Sequence, residues 1–120
     1  MRCILLVVFL LLPAQAFASE ASWYSSEACK FNPHKGCPTA SGKSLYELER
    51  SKQDFAAAWN YPMGAKLKVT NIRNGKSVVV TVLDRGPAKR LNRAIDLSKG
   101  AFSKISSLKN GVAEVSIVRV

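Results

Sequence analysis

Two hydrophobic patterns divide the chain. Ile4 to Leu12 is an unbroken apolar run behind one basic residue, Arg2, and it leads into Ala16-Phe17-Ala18. A basic start, a short apolar run and a small-x-small site, in that order, predict an export signal over residues 1–18, removed near Ala18. Nine apolar residues are too few to span a bilayer. Beyond this point the pattern becomes short and alternating. Lys66-Leu67-Lys68-Val69-Thr70-Asn71 alternates polar with apolar, the period of a half-buried strand, and Ser77 to Leu83 is a nearly continuous β-branched run. Asn74-Gly75 between them predicts a tight hairpin turn.

Ala21 to Ser25, Ala94 to Leu97 and Ala113 to Val120 predict three more strands. Trp23 and Tyr24 are adjacent in the first, so one faces inward and the other outward. Leu45 to Trp59 contains helix formers and then Phe55-Ala56-Ala57-Ala58, which predicts one or two short helices. Ser98 is placed to cap a further helix from Lys99 to about Ile105. Pro33, Gly36, Pro38 and Gly42 punctuate a loop between Ser26 and Lys43. Short strands with one or two short helices, and no linker or repeat, predict a mainly β chain folded as one small barrel over residues 19–120.

Charge and cysteine content change the picture in two ways. Lys and Arg total 18 against 8 Asp and Glu, and Arg2 is the only charged residue of the export segment. Removing residues 1–18 from 120 therefore leaves 102 residues, with the net charge lowered only from +10 to +9. The basic residues are dispersed and form neither a basic amphipathic helix nor an aromatic RNA-binding motif, so nucleic acid and membrane surfaces are not the expected partners. Cys3 leaves with the signal, and the remaining Cys29 and Cys37 predict one disulfide in an exported protein. The alternative, zinc held by Cys29, His34 and Cys37, offers only three ligands in an oxidising compartment. No metal or organic cofactor is expected. No cysteine directly follows the cleavage site, so no stable membrane anchor is expected; the expected product is a monomer, periplasmic or secreted.

Among the acids, Asp84 stands out because it ends a β-branched run and precedes Arg85-Gly86-Pro87. A carboxyl group at a barrel rim can protonate a leaving oxygen; the same residues also suit a simple turn. Asp96, between Ile95 and Leu97, is expected to hydrogen-bond to backbone in a turn.

Six strings occur in order: Ala21-Ser22-Trp23-Tyr24, Thr39-Ala40-Ser41-Gly42, Pro62-Met63-Gly64 with Val69-Thr70-Asn71, Asn74 to Val80, Asp84-Arg85-Gly86-Pro87, and Ile95-Asp96-Leu97-Ser98. Together they resemble the double-psi β-barrel domain of the rare lipoprotein A family, relatives of expansins and barwin-like proteins, over nearly all of residues 21–120. The resemblance implies a six-stranded double-psi barrel with a polysaccharide groove, a peptidoglycan or related cell-wall polysaccharide as partner, and lytic transglycosylase activity with Asp84 as general acid and base. One carboxyl group suffices for that chemistry, because the sugar's own 6-hydroxyl attacks and the two-carboxylate arrangement of glycosidases is not obligatory.

The chain departs from the family pattern where Lys43 replaces the usual Glu after Thr-Ala-Ser-Gly, and where Trp59-Asn60-Tyr61 replaces the common His before the Pro-x-Gly turn. Two functions follow. In one, Lys43 supplies positive charge and Glu47 or Glu49 replaces the missing acid. In the other, the barrel binds wall glycan without cutting it. Lys43, Trp59, Tyr61, Arg85 and Tyr24 are the candidate substrate contacts in either case.

Overall fold

The computed structural model describes residues 19–31, 36–88 and 93–120, which form a closed six-stranded barrel. The strands are β1 (Ser19–Tyr24), β2 (Phe55–Ala58), β3 (Lys66–Asn71), β4 (Ser77–Asp84), β5 (Ile95–Ser98) and β6 (Val112–Arg119). Around the barrel they run β1-β5-β2-β4-β3-β6. The β1/β5 and β2/β4 pairs are parallel, and the other four are antiparallel. Closure leaves no unpaired strand edge, which matters for strands this short. The export segment expected over residues 1–18, and His34 of the zinc alternative, lie outside the described residues.

Alternation sorts the side chains as the sequence pattern predicts. Leu67, Val69, Val80, Val82, Ile95, Leu97 and Val115 are fully buried in the interior cluster, while Lys66, Lys68 and Val79 face out. Trp23 turns toward that cluster and its indole N–H donates to the Leu108 carbonyl at 3.1 Å; Tyr24 turns outward. Helix α2 (Lys99–Ser103) is capped as expected, Ser98 Oγ accepting from the Ala101 N–H at 3.3 Å, and it adds Ala101 and Phe102 to the interior cluster. It ends short of the predicted Ile105, because the Lys104 and Ile105 N–H groups close tighter turns onto Ala101 and Phe102.

Helix α1 (Leu45–Arg50) lies outside the barrel. Leu45 and Leu48 pack with Phe55 into a second cluster that also takes in Tyr24, Leu83 and the Cys29–Cys37 disulfide. The predicted disulfide is thus present, and it anchors the loop to this outer cluster.

Two local expectations are corrected. Phe55-Ala56-Ala57-Ala58 is strand β2, not helix. The helix stops at Arg50, with Lys52 in the left-handed region at φ 58°, and β2 then pairs on both sides, every residue buried. Alanine's helix preference is only a few tenths of a kcal/mol over most residues, and pairing within a packed barrel overrides it. The β3–β4 connection is a hairpin, but not the two-residue turn that Asn74-Gly75 suggests: Gly75 N–H bonds to the Asn71 carbonyl, and only Gly75 has positive φ, 76°. Asn71 and Asn74 instead each donate a side-chain N–H to the Ile105 carbonyl at 2.9 Å, tying the turn to the chain after α2.

Phe102 is fully buried, so Phe102→Ala is expected to cost about 3–5 kcal/mol. Val118→Ala, at a position 57% exposed, should stay within about 0.5 kcal/mol. Urea denaturation of the two variants measures the difference.

Candidate active site on the outer face of the barrel

Simple alternation along β4 would send Asp84 into the barrel, because Val78, Val80 and Val82 all point there. A bulge prevents this. Phe55 pairs with Thr81 and Ala56 with Val82, but Ala57 pairs with Asp84, so Leu83 is the extra residue. Two residues on β4 oppose one on β2, and the side-chain sequence reverses. Leu83 joins the outer apolar cluster and Asp84 also faces outward.

The bulge aligns four residues on one outer row. Ser22 pairs with Asp96, Asp96 with Ala57, and Ala57 with Asp84, across β1, β5, β2 and β4. Directly paired residues share a face. With strands about 4.8 Å apart, the Cα atoms of Asp84 and Asp96 stand roughly 10 Å apart on either side of Ala57. Ala57 is buried because Gly86 crosses it: a Cβ on Gly86 would meet the Ala57 Cβ at 3.4 Å, and the Gly86 φ of 153° disfavours any side chain there. Small residues at 57 and 86 therefore let the chain leaving Asp84 pass between the two carboxyl groups.

Asp84 is held by three donors. Its Oδ1 accepts the Ala40 and Arg85 backbone N–H groups, each at 2.9 Å, and its Oδ2 accepts the Tyr24 hydroxyl at 3.1 Å. A carboxylate offers about four lone-pair sites, so one on Oδ2 is left for a substrate. Burial, then the Asp84 charge, push the Tyr24 hydroxyl far above its ordinary pKa, so it stays a donor. Its ring meets Phe55 edge-on at 6.0 Å, which ties Asp84 through Tyr24 to the α1 cluster.

The loop that supplies Ala40 is itself braced. Ser41 N–H donates to the Leu83 carbonyl, and buried Thr39 gives both its N–H and its hydroxyl to the Lys43 carbonyl, at 2.9 and 2.8 Å. Lys43 is exposed at the end of this brace. On the other side, Arg85 Nη1 donates to the Ala58 and Tyr61 carbonyls at 2.9 and 2.6 Å, pinning the turn after β2. Trp59 is 45% exposed, its indole N–H on the Pro87 carbonyl at 2.7 Å, whereas Tyr61 packs partly against the interior cluster.

Of the sequence-selected residues, the structure thus brings Tyr24 and Arg85 directly to the Asp84 segment and places Lys43, Trp59 and Tyr61 around it. Glu49 is not turned toward Asp84: both its carboxylate oxygens hold Ser26, through the Ser26 backbone N–H at 2.9 Å and its hydroxyl. Glu47 is exposed on α1.

Asp96 lies in the predicted strand, β5, but the expected backbone hydrogen bond in a turn is corrected: its Oδ1 accepts the Ser22 hydroxyl at 3.0 Å. Burial raises its pKa; the Ser22 hydrogen bond and the Arg93 charge oppose this, and the Asp84 charge adds to it. The available signal was the parity of β1 and β5, which sets Ser22 and Asp96 on the face opposite Ala21 and Ile95.

Comparison with known proteins identifies the relatives of this chain. The family model described as lytic transglycolase matches residues 16–117. A protein from Nostoc sp., a probable endolytic peptidoglycan transglycosylase RlpA, is 44% identical over 102 residues, covering 85% of this chain and 25% of the relative. The chain thus spans about a quarter of that relative's length. The Streptomyces papain inhibitor has the same fold, with TM-score 0.61 and 26% identity over 87% of this chain and 93% of the inhibitor. So does an expansin of Clavibacter michiganensis, in a structure of its complex with cellohexaose, with TM-score 0.59 and 20% identity over 86% of this chain and 49% of the expansin.

The Asp96 shift has a sign that can be tested. The folded protein holds the Asp96 proton more tightly than the unfolded chain, so this residue's contribution to stability falls as pH rises from the ordinary aspartate pKa through the raised one. The melting temperature of the wild type minus that of Asp96→Asn should fall as pH rises across that window; a constant difference would contradict the assignment.

Proposed function

This chain belongs to the rare lipoprotein A family of double-psi β-barrel lytic transglycolases, and from that premise we propose that it cleaves peptidoglycan glycan strands with Asp84 as general acid and base. The observation that carries the proposal is the setting of Asp84: the bulge presents it outward, three donors fix it, and one Oδ2 lone pair remains.

The protonated carboxyl of Asp84 gives its proton to the glycosidic oxygen as the bond to the anomeric carbon breaks. The resulting carboxylate then removes the proton of the sugar's 6-hydroxyl, whose oxygen bonds to the anomeric carbon. The glycan leaves with a 1,6-anhydro ring, Asp84 regains its proton, and no water is consumed. Tyr24 is a positioning residue here, since its hydroxyl fixes Oδ2, and Arg85 positions the turn that carries Trp59. Exposed Lys43 and Trp59 are the proposed glycan contacts on the two sides of Asp84, with Tyr61 between Trp59 and the barrel. Such a protein acts in the periplasm or outside the cell, where the expected export signal would deliver it.

A second function, wall binding without turnover, is favoured by one observation: Lys43 stands where the family pattern has a Glu, so the loop against Asp84 contributes no acid. Incubating purified protein with sacculi and analysing the soluble fraction by mass spectrometry separates the two. Anhydro-muramyl products are expected from the wild type and should fall by about 100-fold or more in Asp84→Asn. The Asn side chain retains an oxygen for the Ala40 and Arg85 N–H groups, which keeps the loop in place. Sacculus binding without products would establish the binder instead.

A further inference from the structure

The Cys29–Cys37 disulfide lies at the base of a small hairpin whose tip holds Asp84. Pro38 pairs with Ser44 in an antiparallel bridge, the Thr39 N–H donates to the Lys43 carbonyl at 2.9 Å, and the Gly42 N–H closes the turn onto the Thr39 carbonyl at 3.0 Å. At the tip, the Ala40 N–H reaches Asp84 Oδ1 and the Ser41 N–H reaches the Leu83 carbonyl at 3.0 Å. We propose that this disulfide positions Asp84 and thereby acts as a redox switch: the oxidised form holds the Ala40 donor on the carboxyl group and cleaves glycan, whereas the dithiol form keeps the barrel and loses the assembled site. The inference rests on the catalytic function proposed for Asp84.

The two arms of the hairpin are anchored differently. Ser44 leads directly into α1, whose Leu45 and Leu48 are buried against Phe55. The arm from Gly36 to Thr39 bonds, among the described residues, only to the hairpin itself and to Cys29. The Gly36 carbonyl accepts the Ser44 hydroxyl, and the Cys37 carbonyl accepts the Leu45 N–H at 2.9 Å. The disulfide is therefore this arm's tie to a second element.

That second element is itself fixed. Cys29 belongs to the 3-10 helix Ser26–Phe31, whose Ser26 backbone N–H and hydroxyl both bond to the Glu49 carboxylate of α1. Glu27 of the same helix pairs with Lys99 of α2 at 2.8 Å. Cutting the bond thus releases the hairpin arm and leaves the 3-10 helix in place. The barrel is spared as well, because the interior cluster contains neither cysteine and the six strands close without them.

A dithiol is the reductant that such a switch takes. Two electrons and two protons pass from it to the Cys29–Cys37 bond, which becomes two protein thiols while the reductant becomes a disulfide. The reverse transfer, to a disulfide oxidant, restores the bond. Both cysteines are only partly buried, so a small dithiol can reach them. A reducing compartment therefore holds the chain as a folded barrel with a loosened site, and an oxidising compartment, where wall glycan lies, assembles that site.

The test compares the oxidised protein with the same protein held in dithiothreitol and with Cys29→Ser/Cys37→Ser. Amide hydrogen exchange followed by NMR is expected to quicken at least about tenfold at Ala40 and Ser41 in both disulfide-free forms, with Leu67 and Val80 of the barrel unchanged. On glycan strands freed of stem peptides, kcat for anhydro-muramyl products should fall at least about tenfold, with KM held within about twofold, and reoxidation of the reduced wild type should restore it. Unchanged Ala40 exchange, equal kcat in the two redox states, or quickened exchange throughout the barrel would overturn the inference, the last being the mark of a staple for the whole fold. Faster Ala40 exchange with no products from any form would leave the positioning standing and remove the catalytic function of Asp84. Products lost in Asp84→Asn but equal in the two redox states would do the reverse.

Discussion

A single extra residue, Leu83, decides which side of the barrel Asp84 faces. Without the bulge, the alternation that buries Val78, Val80 and Val82 would bury a carboxylate as well, where isolated charge is costly. With it, Asp84 emerges next to the Ala40 and Arg85 N–H groups and the Tyr24 hydroxyl. Each surrounding feature meets a condition that the bulge sets. Ala57 and Gly86 are small enough for the departing chain to cross, and Arg85 fastens that chain to the turn after β2.

The outer face is therefore built in two layers. Tyr24, Phe55, Leu83, α1 and the disulfide form an apolar buttress separate from the interior cluster, and the polar row of Asp84 and Asp96 lies beside it. Thr39 and Ser41 lock the loop that contributes Ala40. Fixed donors of this kind pre-organise a carboxyl group without any movement at the moment of reaction.

How much of this could be read in the sequence depends on whether a feature is local. Strands β3, β4 and β6 and the Ser98 cap followed from alternation and residue type, because each is encoded within a few positions. Strand β2 did not: three consecutive alanines favour a helix, and only pairing with β4 and β5 makes them strand. Asp84 could be found from the break after a β-branched run, yet its outward direction could not, since strict parity points it inward. The strand that holds Asp96 is legible, but its partner is not, because the pairing with Ser22 and Ala57 joins residues distant in the chain. A cleft lined by Ser25, Lys52, Phe55, Ser98 and Leu108 unites segments distant in the chain, and no motif in any one of them signals it.

The central claim is that Asp84 and Asp96 face the same outer space, so that the Asp84 charge reaches Asp96. Carboxyl 13C NMR titration of Asp96, in the wild type and in Asp84→Asn, tests this most directly. The account predicts a pKa above the ordinary aspartate value in the wild type and a lower one once the Asp84 charge is gone. An Asp96 that titrates as an ordinary aspartate, or that is unmoved by Asp84→Asn, would contradict it.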